Sequence, residues 1–197
     1  MERSLVAELE AELVHWGLDN SRLPVRSIYF GETEISMEGN PSSTASLDVL
    51  KNLHSIGINR YSLGIQSFQA RILEELGRDH TPSTALRSLL DARSVWPGRV
   101  SMDLIMGHSG QTLQDWVKEL RFTMDVVDNH LSLYHLTVER GTELHRDVTR
   151  GNMALPDAEL AADMYETMIQ VRSRNQIVCA MDVSTGVGDK GLVHMAV

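Results

Sequence analysis

Short apolar runs alternate along this chain with longer segments in which apolar residues recur every three or four positions. The short runs are typical of buried strands, and the longer segments are typical of amphipathic helices. The pattern predicts strands at 25–30, 34–38, 60–66, 99–106 and 130–138, and helices at 4–16, 46–56, 68–76, 82–96, 113–127, 142–150 and 156–172. This alternation of strands and helices indicates an α/β domain with a parallel sheet.

The first two predicted strands break the alternation. Only residues 31–33 separate the strand at 25–30 from the strand at 34–38. Neighbouring parallel strands need a crossover of about a dozen or more residues, usually a helix. So short a link allows either an antiparallel hairpin or one continuous strand. The sequence therefore predicts that the parallel order is lost here.

Two of the later strands carry a polar residue among apolar ones. These residues are Gln66 and Asp103, and Arg78 lies between them on a loop or a helix end. Ligands bind at the carboxyl ends of the strands in parallel barrels, so the three side chains together could hold a polar, zwitterionic ligand. The alternative is that Asp103 caps a turn and Arg78 is solvated. The residues alone leave both interpretations open.

Composition limits the classes of function. The 197 residues are 42% hydrophobic and 23% charged, with a formal net charge of −9. Nucleic acids and anionic membranes bind clustered Lys and Arg, so this charge argues against both as partners. No apolar run reaches the roughly 18 residues of a membrane-spanning helix. The first residues, Met-Glu-Arg-Ser-Leu-Val-Ala-Glu, resemble neither a signal peptide nor a transit peptide, which by itself predicts a cytosolic protein.

Metal chemistry finds little support in the sequence. The chain contains one cysteine, Cys179, which excludes an internal disulfide and any multi-cysteine metal site built by these residues alone. His130 and His135 share a predicted strand, but at a spacing of five they point to opposite faces. We therefore assign no metal ligand and no catalytic residue.

Five motifs follow one another in a characteristic order. They read NRYSLGIQSF at 59–68, ELGRDHT at 75–81, SMDLIMGHSGQT at 101–112, HLSLYHLTVERGT at 130–142 and ALPDAELAADMY at 154–165. With them the chain resembles, from about Ser4 to about Arg172, the radical S-adenosylmethionine (SAM) enzymes of the oxygen-independent coproporphyrinogen III oxidase family. Within that family it is similar to the haem-chaperone branch, which includes animal mitochondrial radical-SAM-domain proteins.

The resemblance implies an incomplete, partly open parallel (β/α) barrel of the radical SAM type. It assigns residues 1–172 to a barrel domain and leaves 173–197 as a divergent tail, whose glycines and lack of periodicity predict flexibility. Members of the family are mitochondrial or cytoplasmic. The resemblance thereby implies SAM and a [4Fe–4S] cluster as cofactors in porphyrin or haem metabolism, with haem as a possible further ligand of the family.

The resemblance also assigns the SAM contacts. They are Gly31, Glu38, Gln66, Arg78 and Asp103. Gly31 is what remains of a glycine-rich turn. Glu38 matches a glutamate on the SAM side of the barrel, and the alternative for it is a solvated strand end.

Three further residues are interpreted through the family's motifs. His80 belongs to a Gly-Arg-x-His element and is expected to be a structural hydrogen-bonding residue rather than a ligand. His108 replaces the usual leucine of a turn and is interpreted as a substitution that creates no new site. Tyr134 matches a position that faces the active site.

Two features of the family are missing from these residues. The C-x-x-x-C-x-x-C loop, which holds the cluster on three thiolates, is absent, and so is most of the glycine-rich turn. The resemblance therefore predicts a family member that does not itself form the cluster or generate the radical. The alternatives are a non-catalytic SAM- or haem-binding remnant, able to pair with a full-length family member, and a truncated product without function.

Overall fold

A single sheet organises the part of the chain that the structure describes. The computed structural model describes residues 28–30, 34–42, 46–128, 130–175 and 178–182. Within these ranges six strands pair in chain order: β1 (Ile28–Phe30), β2 (Ile35–Gly39), β3 (Arg60–Gln66), β4 (Val100–Met106), β5 (His130–His135) and β6 (Val178–Asp182). The helices of the same ranges are α1 (Leu47–Ser55), α2 (Ala70–Glu75), α3 (Pro82–Val95), α4 (Leu113–Val126), α5 (Glu143–Thr149) and α6 (Ala158–Asn175).

Strands β2 to β6 are parallel. Each of these strands lies beside the next strand in the chain. Crossovers between parallel strands are right-handed, so a sheet built in this order has its helices on one side. Apolar side chains of β3 and β4 share one core with those of α1, α3 and α4. In the described residues β1 and β6 are the two edges, so the sheet is open. The predicted α/β fold, an incomplete and partly open parallel barrel, is confirmed.

The first two described strands, β1 and β2, form an antiparallel hairpin. β1 pairs with β2 in the antiparallel sense, with Phe30 opposite Ile35 and Ile28 opposite Met37. Of the two arrangements that the sequence allows, the hairpin is confirmed and the continuous strand is wrong. β1 therefore runs against the direction of every other strand in the described sheet.

Helix boundaries follow from capping side chains. Thr81 and Thr112 each accept a hydrogen bond from a backbone N–H in the first turn of α3 and α4, respectively. Asp157 does the same for α6, since its carboxylate accepts from Leu160 N at 2.9 Å. That helix begins two residues later than predicted and ends three residues later, at Asn175. β5 ends at His135, three residues before its predicted end.

The last described strand is not predicted by the sequence pattern. β6 pairs in parallel with β5, with Cys179 opposite Leu131, and it completes a strand–helix–strand unit with α6. The predicted division between barrel and tail at 172/173 falls inside α6. Residues 183–197 of the tail, like the predicted helix at 4–16, lie outside the described residues.

Two tryptophans connect helices with their neighbours: one packs on the sheet, and the other bonds to a second helix. Trp96, just after α3, stacks on Tyr61 of β3 at 5.1 Å between ring centroids, and its Nε1 donates to Ile58 O at 2.7 Å. Trp116 of α4 is fully buried and donates from Nε1 to Met164 O of α6 at 3.0 Å. These contacts give the central strands a rigid backing. None of the described helices has the length and apolar character needed to cross a membrane.

Candidate functional site

The two faces of the sheet differ in chemistry. On β3, Tyr61, Leu63 and Ile65 are buried in the core with the helices, and because side chains alternate along a strand, Ser62 and Gly64 point to the other face. The same alternation on the neighbouring strands gives that face Ser36, Glu38, Ser101, Asp103, His130, Ser132 and Tyr134, with Ile105 as an apolar member. We call this surface the polar face. Predicted site residues from two strands, Glu38 and Asp103, therefore share one surface.

Asp103 lies in the middle of β4 rather than at its end. It is the fourth of seven residues in the strand and pairs with Ser132 of β5. Its carboxylate accepts a long hydrogen bond from Ser62 Oγ at 3.4 Å. The expectation that it lies at the strand end is wrong, and so is the alternative that it caps a turn. Glu38 is the register partner of Ser62 on the opposite side, so two carboxylates flank one serine.

Gln66 ends β3 in an unusual backbone conformation. Its φ is +72°, and among the described residues it is the one non-glycine with a positive φ. The pairing with β4 shifts register between Leu63 and Gln66. Such a conformation costs on the order of 1 kcal/mol and persists only where surrounding contacts impose it. The conformation of Gln66 is therefore imposed by its surroundings.

Gly64 makes room for the Gln66 amide. A Cβ placed on Gly64 would stand 3.0 Å from Gln66 Nε2 and 3.6 Å from Gly39 O. The amide of Gln66 therefore lies over Gly64, on the polar face. Glycine at this position leaves room for the close approach, and its backbone is not left-handed.

Arg78 lies on the loop between α2 and α3. Two contacts bring that loop to the carboxyl edge of the sheet: Ser42 Oγ, after β2, donates to Asp79 Oδ1 at 2.8 Å, and His80 bonds to Ile65 O at 3.1 Å. Arg78 is half-buried there. It lies at the same end of the sheet as Gln66, as the sequence predicts. The expected structural role of His80 as a hydrogen-bonding residue is confirmed.

Gly31 lies outside the described residues. The strand before it ends at Phe30, which pairs with Ile35 at the amino edge of the sheet. Gln66 lies at the opposite edge, and six or seven residues of strand at about 3.3 Å each separate the two edges by roughly 20 Å. The end of β1 is thus remote from the carboxyl edge.

The turn after β4 contains a buried histidine, His108. From the family motif we interpret it as a substitution that creates no new site. His108 is 1% exposed, and its Nε2 bonds to Ile105 O at 2.5 Å. Burial lowers the pKa of His108 from 6.5 to about 4, the hydrogen bond opposes this shift, and the nearby charges of Arg71 and His135 add to it. Neutral at pH 7, its ring donates to the Ile105 carbonyl. We treat it as part of the turn's packing.

A groove of about 450 Å³ lies on the helix-covered side of the molecule. Its walls include Phe68, Leu86 and Phe122, with Lys118 among the polar residues. Residues of α3 and α4 line it, so it opens away from the polar face. Its walls are mostly apolar and do not contain the predicted site residues.

Comparison with known proteins decides the family. The model of the Radical SAM superfamily matches residues 3–123. The chain belongs to the radical SAM superfamily.

The relatives of this radical SAM chain lie in the branch that the motifs indicate. It is 43% identical over 135 residues to the mouse (Mus musculus) protein called radical S-adenosyl methionine domain-containing protein 1, mitochondrial, which covers 68% of this chain and 30% of the mouse protein. It is 36% identical over 135 residues to the heme chaperone HemW of Mycobacterium tuberculosis, which covers 68% of this chain and 34% of HemW. The chain thus spans about a third of the length of the curated relatives it matches.

The fold agrees with that of a solved family member. Coproporphyrinogen III oxidase (HemN) from Escherichia coli, a radical SAM enzyme, matches with a TM-score of 0.61 at 23% identity, covering 72% of this chain and 32% of the oxidase. This similarity shows the fold. Together with the two relatives it confirms the predicted resemblance to the coproporphyrinogen-oxidase-like, haem-chaperone branch.

The residues of this radical SAM chain do not fit a [4Fe–4S] cluster. Such clusters take thiolate ligands, and the 197 residues contain one cysteine. Cys179 lies on β6, at the edge of the described sheet. Among the residues that the structure describes, no three His, Cys, Asp or Glu side chains group as metal ligands.

The polar face fits SAM better. SAM carries a sulfonium and an ammonium, which carboxylates such as Glu38 and Asp103 complement, and a carboxylate, which a guanidinium such as Arg78 complements. Gln66 can both donate and accept hydrogen bonds. Glu119, a residue that the sequence does not single out, holds the backbone just after Gln66 through contacts some 50 positions away in the chain.

Proposed function

We propose that this chain binds SAM on the polar face of its sheet, as the central part of a coproporphyrinogen-oxidase-like protein of the haem-chaperone branch. The contacts would come from Glu38, Gln66, Arg78 and Asp103. The observation that carries the proposal is the left-handed Gln66, whose amide lies over Gly64 on the surface that also presents Asp103. An observed backbone outlier at a strand end supports an inference of function.

The proposed activity is binding without radical chemistry. In the family the cluster supplies the electron that cleaves SAM. One cysteine cannot supply the ligand set, so these 197 residues would hold SAM without cleaving it. Gly31 lies outside the described residues and is not among the contacts that we propose.

The relatives support a wider role for the protein. Their printed names include a heme chaperone and a mitochondrial radical SAM protein. We therefore place the chain in porphyrin or haem metabolism, with a mitochondrial location, haem as a second ligand and a longer family member as a partner for the chain. No described feature favours a nucleic-acid partner.

A calorimetric titration tests the SAM site. The wild-type chain is titrated with SAM and, separately, with free methionine, and the titration is repeated with Asp103→Ala. We expect saturable binding of SAM, weakened about tenfold or more by the substitution, because losing one ionic hydrogen bond costs about 1.5–3 kcal/mol.

Arg121→Ala is the control, since Arg121 is an exposed residue of α4. It should bind SAM as the wild type does. Absence of any saturable heat with SAM would exclude the site. Equal affinity of wild type and Asp103→Ala would show that SAM binds elsewhere.

A further inference from the structure

The backbone from Ile65 to Gln69, which we call the β3 turn, links β3 to α2 and contains Gln66. Two buried side chains from other parts of the chain bond to it. One is His80, between α2 and α3, and the other is Glu119, in the middle of α4. Both are about 95% buried. The turn that carries the proposed SAM contact is therefore stabilised by side chains from other segments of the chain.

Glu119 receives three hydrogen bonds from the β3 turn. Ser67 Oγ donates to its Oε1 at 2.5 Å, Phe68 N donates to the same oxygen at 2.8 Å, and Gln69 Nε2 donates to Oε2 at 3.0 Å. Ser67 Oγ in turn accepts from Gln69 N at 3.0 Å. Both oxygens of the carboxylate are thus used for the three residues that directly follow Gln66.

His80 bonds to the residue that precedes Gln66. Its Nε2 lies 3.1 Å from Ile65 O, and because a carbonyl only accepts, Nε2 carries the proton. Burial lowers the pKa of His80, the bond to Ile65 opposes that shift, and Arg78 and Asp79 contribute in opposite directions. The ring is neutral at pH 7. The carbonyl before Gln66 and the hydroxyl and amides after it are therefore all held by buried groups.

This arrangement explains how Gln66 remains left-handed. A strained φ persists where the surroundings impose it, and the contacts on either side of Gln66 are those surroundings. Packing of α4 alone does not call for a carboxylate at this buried position, and an apolar side chain there would leave three donors of the β3 turn without their acceptor. What the carboxylate adds is a fixed geometry for the β3 turn.

We propose that Glu119 and His80 are positioning residues that hold the Gln66 amide on the polar face in a conformation ready to bind SAM. The inference rests on the proposed function for its ligand. The geometry of the β3 turn can be measured without the ligand, so the two proposals can be tested separately.

The first test compares Glu119→Ala and Glu119→Gln in the SAM titration. Glutamine keeps one oxygen that accepts from Ser67 and Phe68, whereas alanine keeps none. We expect Glu119→Ala to weaken SAM binding about tenfold or more, and Glu119→Gln to stay within about threefold of wild type. Asp125→Ala removes an exposed carboxylate from the same helix and should not change the affinity.

The second test is amide hydrogen exchange of Phe68, measured by NMR without SAM. The Phe68 amide should exchange slowly in the wild type and in Asp125→Ala, and at least about tenfold faster in Glu119→Ala, because exchange follows local opening. Should Glu119→Ala fail to fold, Ser67→Ala removes a single donor from the same carboxylate and takes its place in both tests.

The outcomes separate the two proposals. A wild type that binds SAM, together with an alanine variant of equal affinity, overturns the positioning role. A wild type that does not bind SAM overturns the proposed function. In that case the hydrogen exchange of Phe68 is the measurement that tests whether Glu119 positions the turn. Equal protection of Phe68 in wild type and alanine variant would show that Glu119 does not hold the turn.

Discussion

The β1–β2 edge and the centre of the sheet, β3 and β4, differ in how their strands are connected and paired. At the edge, three residues separate β1 from the residue before β2, and the two strands pair in the antiparallel sense. At the centre, β3 and β4 remain parallel and are backed by helices. A short link thus leads to antiparallel pairing at the edge while the neighbouring strands stay parallel, because each strand–helix–strand unit packs locally.

The difference matters for the site. The residues that we propose as SAM contacts lie on β2 and β4, at the end of β3 and in the loop before α3, within the parallel part of the sheet or at its carboxyl edge. Phe30, the last residue of β1, lies at the opposite, amino edge of the sheet. The proposed SAM surface therefore belongs to the parallel part of the sheet, while the 197 residues contain one cysteine and so lack the thiolates for a cluster.

The largest expected effect comes from truncating the centre of the sheet. Leu63 of β3 is fully buried, so Leu63→Ala should lower the free energy of unfolding by about 2–5 kcal/mol. Ile35 of β2, beside the hairpin, is only partly buried, so Ile35→Ala should cost less than about 2 kcal/mol. Urea denaturation followed by circular dichroism measures both. Equal costs would mean that the edge is as essential to the fold as the centre.

A somewhat smaller effect should appear on acidification. The unfolded chain takes up a proton at His108 near pH 6.5, whereas the folded chain does so only near pH 4. Stability is therefore lost as the pH falls through this window, by about 3 kcal/mol from His108. His80, whose pKa is also lowered by burial, changes stability in the same direction.

Replacing the histidine isolates its contribution. His108→Leu should reduce the loss of stability between pH 7 and pH 4 by about 3 kcal/mol, measured by urea denaturation at both values. His54→Leu changes an exposed histidine of α1 and serves as the matched control. An unchanged pH dependence in His108→Leu would mean that the turn after β4 opens to water.

The fold could be predicted largely from local rules. Apolar periodicity located the strands and helices, and the length of the link at 31–33 restricted β1 to a hairpin or a continuous strand. The choice between those two needed the structure. β6 was missed because the short apolar run Ile-Val-Cys-Ala-Met at 177–181 has no periodicity, and its strand character comes from pairing with β5.

The site could be predicted only in part. Polar residues in apolar strands, together with the family motifs, pointed to Gln66 and Asp103. The left-handed backbone of Gln66 and the role of Glu119 depend on contacts between residues some 50 positions apart, which no local pattern reveals. The predicted strand at 99–106 already has Asp103 in its middle, although the ligand is expected at the strand ends. Its partner across the strands, Ser132, depends on the register with β5, which the sequence does not determine.

The most direct test of the account is a thermal melt of the 197-residue chain with and without SAM. The claim is that the polar face still binds SAM although β1 is reversed. A ligand that binds only the folded state stabilises it by about 2.7 kcal/mol at a hundred times its Kd. We predict one cooperative transition whose midpoint rises steadily with SAM concentration. A broad transition, or a midpoint that SAM leaves unchanged, would contradict the claim and show that the reversed edge has cost the sheet its site.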